Sequence, residues 1–94
     1  MVIHKDICPE CESGALIFYT CSDGDTIVLL CDECNAVYWN ALAVSSPAAA
    51  YPDSETGYLS GETGLRLRGG LAGYATKEAV LASGTASAIG AEVP

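Results

Sequence analysis

Basic residues are the scarcest class of side chain in this 94-residue sequence. Four lysines and arginines stand against twelve aspartates and glutamates, which gives a formal net charge of −8. No lysine or arginine occurs between Lys5 and Arg66, an interval that contains ten carboxylates. Binding to nucleic acid depends on lysine and arginine contacts to phosphates, so this balance argues against a nucleic-acid partner. A strongly negative surface attracts basic surfaces, and we therefore expect a protein partner with a basic face.

Long apolar runs are also absent. No stretch approaches the ~18 consecutive apolar residues of a membrane-spanning helix, and the start, MVIHKDICPEC, lacks the apolar segment of a signal peptide. We therefore expect no membrane association and a cytoplasmic location, where cysteines stay reduced.

Patterns that indicate catalysis are missing as well. The sequence has one histidine and shows no glycine-rich phosphate loop after a strand and no nucleophile motif. We predict that the protein is not an enzyme and has no catalytic residues, no small-molecule substrate and no organic cofactor.

Cysteines, in contrast, are plentiful and ordered. Four of the five form two Cys-x-x-Cys pairs, Cys8/Cys11 and Cys31/Cys34, with nineteen residues between them. Each pair makes a tight turn that points two sulfurs at one ion, and this spacing is typical of a structural zinc site. We predict one Zn²⁺ per chain, bound by all four of these thiolates.

Two other chemistries use the same residue types. Iron in a rubredoxin-type site has four thiolate ligands and would make the protein an electron carrier, but rubredoxins usually carry glycine after each pair and a longer separation between pairs. A thiol–disulfide redox pair normally needs a helix directly after the motif, and no helical pattern follows either pair.

Two further groups are candidates for ligands, and we expect neither to bind the metal. Cys21 is predicted to be a partly buried spectator, with a reactive or intermolecular thiol as the alternative. His4 is predicted to be a solvated side chain.

The residue after each Cys-x-x-Cys pair commonly needs a left-handed backbone conformation. This suits Asn35 but makes Glu12 a poor fit.

The segment between the two pairs has the pattern of a β-hairpin. Residues 15–21 and 26–31 are rich in β-branched and aromatic residues, and Asp23-Gly24 between them predicts a type I′ turn that sets Tyr19 opposite Val28. Residues 36–40 would supply a third strand, on which Tyr38 and Trp39 face opposite sides. This is the pattern of a three-stranded antiparallel zinc ribbon, stapled by its metal because so small a core is marginal alone.

The domain organisation follows from a change of composition near residue 45. We assign 1–44 to the ribbon, 45–73 to a Gly/Pro-rich linker with short strands, and 74–94 to a short helix and tail that pack on or near the ribbon. The helix is predicted over 76–83, from an N-cap at Thr76 to a stop at Gly84. Residues 1–7 form at most an edge strand, and the final residues should fray. The fold class is thus small metal-stapled β with a Gly/Ala-rich C-terminal extension containing one short helix.

Residues 8–40 resemble the zinc-ribbon superfamily, and CDECNAVYW carries the resemblance. The whole chain is similar to small bacterial zinc-ribbon proteins of unassigned role, which share a closing segment matched here by Ala75, Thr76, Glu78, Val80 and Gly84. The resemblance implies zinc ligands at Cys8, Cys11, Cys31 and Cys34, and it carries no activity.

Together these features favour a non-enzymatic zinc-binding protein-interaction module with an acidic surface. One form of this function is an antagonist or immunity-type protein that neutralises a basic partner such as a nuclease. The alternative is a transcription- or nucleic-acid-associated zinc ribbon. Such ribbons usually carry basic residues on the hairpin, whereas this hairpin tip reads Asp-Gly-Asp.

Overall fold

The fold is a single antiparallel sheet with short helical segments, seen in a computed structural model that describes residues 1–45, 51, 67 and 69–93. No helix in these residues is long and apolar enough to cross a membrane. In chain order the elements are β1 (Val2–Ile7), β2 (Ala15–Thr20), β3 (Ile27–Cys31), β4 (Val37–Tyr38), β5 (Gly73–Tyr74), α1 (Lys77–Ala82), a 3₁₀ turn (Ala86–Ala88) and β6 (Ile89–Glu92).

The three predicted ribbon strands are present as β2, β3 and β4, but the sheet has six strands among the described residues, so the predicted count of three is not confirmed. The strand order is β4-β3-β2-β1-β6, and β5 pairs with the end of β2. β1 is therefore an interior strand and not an edge, because β6 pairs with it through Val2 and Glu92. The last residues form this strand instead of fraying.

The hairpin between β2 and β3 has the predicted register, with Tyr19 opposite Val28. The predicted type I′ turn is not formed, because Gly24 has a positive φ of 74° and Asp23 does not. The Asp23 carboxylate instead accepts hydrogen bonds from the backbone N–H groups of Asp25 and Thr26, at 3.0 and 2.9 Å. An aspartate that bonds the backbone two residues on stabilises a turn while its own φ stays negative.

The two faces of the sheet bury separate groups of side chains. Leu16 and Phe18 of β2 lie opposite Cys31 and Leu29 of β3 and share one face, as the period-2 alternation requires. Val80, the buried residue of α1, packs into the same cluster. The other face holds a smaller cluster of four buried residues, which are Cys21, Val28, Val37 and Leu67.

The helix has the predicted caps. Thr76 precedes α1, and its hydroxyl accepts a hydrogen bond from the backbone N–H of Ala79 at 3.2 Å. Gly84 follows the helix with φ of 79°, the left-handed conformation that ends many helices. The short strands predicted within 45–73 fall largely on residues outside the described part of the chain.

His4 is buried, at 4% exposure, so the prediction of a solvated side chain is wrong. Its Nδ1 accepts a hydrogen bond from the backbone N–H of Asp6 at 2.9 Å. The ring is therefore the tautomer with a proton on Nε2, which donates to the carbonyl of Ala41 at 2.7 Å. The sequence could not show this burial, because it depends on the segment after β4 folding back over β1.

Candidate metal centre

The four cysteines of the two pairs form one compact cluster. Their Sγ atoms all lie within 4.8 Å of one another. The Sγ atoms of Cys8 and Cys34 are 3.7 Å apart and those of Cys11 and Cys31 are 3.6 Å apart, so close contacts join one pair to the other. Tetrahedral zinc with Zn–S bonds of about 2.3 Å requires sulfurs about 3.8 Å apart. The two distances between the pairs are close to this value, and the cluster as a whole is compact enough to hold a metal ion.

The sheet brings the two pairs together. The first pair lies between β1 and β2, and the second begins at Cys31, the last residue of β3. Cys31 pairs with Leu16 at the open end of the hairpin, away from its turn. Asp32 then joins the second turn to β2 twice: its N–H donates to the carbonyl of Ala15 at 3.0 Å, and its carboxylate accepts from the Ala15 N–H at 2.9 Å. The Ser13 hydroxyl adds a bond to the Glu33 carboxylate.

Both cysteine turns end on a left-handed residue. Asn35 has φ of 62°, as its residue type favours, and Glu12 adopts φ of 57° although glutamate is unsuited to this conformation. The first turn is closed by hydrogen bonds from the Cys8 N–H to the Gly14 carbonyl (2.9 Å) and from the Glu12 N–H to the Cys8 carbonyl (2.8 Å). The site therefore imposes the backbone conformation against the local preference of Glu12.

Backbone N–H groups point at the sulfurs. Gly14 donates to Cys11 Sγ at 3.3 Å, and Glu33 and Cys34 both donate to Cys31 Sγ at 3.4 Å. These donors stabilise thiolate charge.

The sequence analysis did not find two residues that shape the cluster. A Cβ added to Gly14 would lie 2.3 Å from Cys31 Sγ, so only glycine leaves room for that sulfur. The hydroxyl of Tyr38, which is buried, lies 3.3 Å from Cys8 Sγ. Strand alternation places Tyr38 on the face opposite Trp39, but contact with a sulfur of the other pair follows only from the packed sheet.

The pKa values of the four thiols differ: two are lowered and two are raised. Backbone hydrogen bonds from Ser13 and Gly14 lower the pKa of Cys11 to about 6. Burial raises the pKa of Cys8, but hydrogen bonds from Tyr38 and the backbone outweigh it and the net pKa is lowered. Burial raises the pKa of Cys31, and it raises that of Cys34 to about 12. Four thiolates so close together repel one another, and a bound divalent cation would remove that cost.

Cys21 lies outside this cluster. It is fully buried, more so than predicted, and it packs in the small cluster on the opposite face. Burial, followed by the charge of Asp23, raises its pKa to about 11. Reactive cysteines are accessible and have lowered pKa values, so Cys21 has neither property of a reactive thiol.

The chemistry of the donor set is that of a closed site. Cys8 and Cys31 are fully buried, and Cys11 and Cys34 are half-buried. Four thiolates complete a tetrahedral shell and leave no coordination position for substrate.

No protein-family model, curated protein or solved structure matches this chain. Its class is therefore defined by the fold and the site themselves: a small antiparallel β protein with one short helix and a four-cysteine cluster within metal-binding distance. That cluster is compatible with a zinc-ribbon-like site.

Proposed function

We propose that Cys8, Cys11, Cys31 and Cys34 bind one structural Zn²⁺ and that the protein is a zinc-ribbon-type module without enzymatic activity. The observation that carries the proposal is the cluster of four sulfurs within 4.8 Å of one another, supplied by two turns of one sheet. A ligand set made up only of thiolates is suited to structural zinc. The binding free energy of such a zinc ion contributes directly to the stability of the fold. Since the thiols must stay reduced, we also propose that the protein works in the cytoplasm.

We propose further that the module binds a protein with a basic surface, as an antagonist or immunity-type protein would. The chain carries a net charge of −8, and zinc held by four thiolates adds about two negative charges by formal count. Among the described residues, Lys5 and Lys77 are the lysine and arginine side chains present, against nine acidic side chains. Such a surface speeds association with a basic partner and repels phosphates.

Metal analysis tests the first part. Protein purified from its native cells should be colourless and contain one zinc per chain by elemental analysis, whereas a red protein loaded with iron would favour the rubredoxin-like electron carrier. Replacing any one of the four ligands by serine should release the metal and abolish cooperative unfolding. Cys21→Ser is the matched control, because it removes a thiol outside the cluster and should retain full zinc content.

Binding measurements test the second part. We expect capture of a basic protein from a native lysate, with an association rate that falls as salt rises. A gel-shift titration with DNA and RNA at physiological salt should show no complex. A micromolar or tighter nucleic-acid complex would instead support the transcription-associated zinc ribbon.

A further inference from the structure

Most acidic side chains near the hairpin and the second cysteine turn accept hydrogen bonds from neighbouring groups of the protein. The carboxylates of Asp23, Asp32 and Glu33 all accept hydrogen bonds from neighbouring groups. Asp25, at the hairpin tip, differs from them. It is exposed, and its carboxylate accepts no hydrogen bond from the described residues. Of these four acids, Asp25 is the one whose carboxylate accepts no hydrogen bond from the described residues, so a partner need not displace one to bind it.

Asp25 lies on the wall of a groove that also contains the sole tryptophan of the sequence. The groove has a volume of about 190 Å³, far above the ~10–15 Å³ that one water molecule needs. We call it the Trp39 groove; its rim and walls include Trp39, Asp25, Ile27, Asn40, Ser83 and Thr85. Trp39 is 41% exposed, so its indole is accessible from solvent.

The other polar groups of the Trp39 groove are largely satisfied. The Ser83 hydroxyl donates to the Val80 carbonyl at 2.6 Å and lies 2.8 Å from the Thr85 hydroxyl. The Asn40 side-chain oxygen accepts from the Leu42 N–H at 2.9 Å. The Asp25 carboxylate is thus the strong acceptor that remains in the groove.

No cation within the described residues neutralises this acceptor. Neither described lysine lines the groove, and α1, which ends beside it at Ala82, has no basic residue in its last turn. The C-terminal end of a helix carries partial negative charge. The Trp39 groove therefore combines an aromatic face, an apolar wall at Ile27 and uncompensated negative charge.

We propose that the Trp39 groove binds an arginine side chain presented by the basic partner, an inference that rests on the protein-binding function proposed above. A planar guanidinium can stack on the indole of Trp39 while it donates two parallel hydrogen bonds to the Asp25 carboxylate. Its aliphatic stem would lie against Ile27. Lysine offers a compact, strongly hydrated charge and lacks the planar fork, so arginine is the better occupant.

Charge argues against the other occupants of such a groove. A second copy of this chain would bring another net charge of −8. A nucleic acid would place phosphates next to Asp25, and like charges at an interface oppose binding.

The test uses the zinc-loaded full chain and the tripeptide acetyl-Gly-Arg-Gly-amide, with Trp39 fluorescence as the readout. We expect a saturable change that weakens as salt is raised. The citrulline tripeptide keeps the shape of arginine without its charge and should bind at least about fivefold more weakly. Asp25→Asn should weaken binding of the arginine tripeptide by about three- to fivefold. Glu92→Gln, which removes one charge from β6 at the far edge of the sheet, should leave it unchanged.

Trp39→Leu provides a second measurement, followed by backbone amide chemical shifts because the fluorophore is lost. We expect binding to weaken by about two- to fivefold while the chemical shifts of β2 and β3 stay in place. Equal binding of the arginine and citrulline peptides, or no effect of Asp25→Asn, would overturn the assignment of the groove. That outcome would leave zinc content and capture of a basic protein intact, whereas failure of the proposed function would remove the captured protein itself.

Discussion

The sharpest test of the metal centre is the substitution Gly14→Ala. The methyl group would be placed 2.3 Å from Cys31 Sγ and 3.3 Å from Cys11 Sγ, where ordinary contact begins at 3.4 Å. Removing the first clash therefore requires a movement of about 3.4 − 2.3 = 1.1 Å between the two atoms. Metal–ligand distances tolerate about 0.2 Å, so Cys31 cannot both yield to the methyl group and keep a normal bond to zinc.

The backbone of Gly14 cannot yield easily either. Its carbonyl accepts from the Cys8 N–H at 2.9 Å, and its own N–H donates to Cys11 Sγ at 3.3 Å. A shift of residue 14 would break the bonds that shape the first cysteine turn. Loss of a supporting hydrogen bond alone typically weakens a metal site by about 10–100-fold. Because the substitution also displaces a ligand, we expect zinc affinity to fall at least ~100-fold, which is about 2.7 kcal/mol.

The expected loss of zinc affinity is opposite in sign to the usual effect of a Gly→Ala substitution. Without a clash, Gly→Ala at a compatible backbone position stabilises a protein by about 0.4–1 kcal/mol. Gly73→Ala in β5 is the matched control, because an added Cβ there meets nothing within 4 Å. Competition for zinc against a chromophoric chelator measures the affinity of both variants. Zinc binding by Gly14→Ala at the level of the unsubstituted protein would refute the geometry of the cluster.

Three further substitutions test other contacts. Tyr38→Phe removes the hydroxyl beside Cys8 and should weaken zinc binding by about tenfold in the same competition assay; unchanged affinity would contradict the contact. Cys21→Ser puts an unpaired hydroxyl in a fully buried site and should cost about 1–3 kcal/mol in urea unfolding. Burial raises the pKa of Cys21 in the folded protein to about 11, so the neutral thiol contributes fully to the free energy of unfolding below ~pH 8.5. That contribution is lost as the pH rises towards 11, and the pH dependence should be absent in Cys21→Ser. His4→Phe leaves the Ala41 carbonyl and the Asp6 N–H without their hydrogen-bond partner. It should lower the free energy of unfolding by about 2 kcal/mol or more in thermal unfolding; a loss below ~0.5 kcal/mol would contradict the burial of this side chain.

Local patterns in the sequence were enough to predict the centre of the fold. The two strands of the hairpin, their register at Tyr19 and Val28 and the clustering of the four cysteines all depend on alternation, turn residues and motif spacing. The helix caps at Thr76 and Gly84 are equally local. Each of these features is encoded within a few residues or in one pair of motifs.

Features that depend on contacts between distant segments could not be predicted in this way. β6 pairs with β1 across almost the whole chain, and its sequence, IGAE, has little β propensity of its own. Gly90 permits the pairing, since an added Cβ there would lie 2.6 Å from the Cα of Lys5. The burial of His4 also depends on a distant segment, because the chain after β4 brings the Ala41 carbonyl to its ring.

The metal centre and the Trp39 groove are coupled through the second cysteine turn. Trp39 follows β4, which begins three residues after Cys34, and the Cys31 N–H donates to the Ala36 carbonyl at 2.9 Å. β4 is only two residues long and holds to β3 through Leu29 and Leu30. So short a strand depends on the turn that precedes it for its position. Removing zinc should therefore release Trp39 from the groove. Chelation should therefore abolish binding of the arginine tripeptide and shift the Trp39 emission to that of a solvated indole, and re-addition of zinc should restore both. Persistence of peptide binding in the metal-free protein would show that the groove is held by the sheet alone.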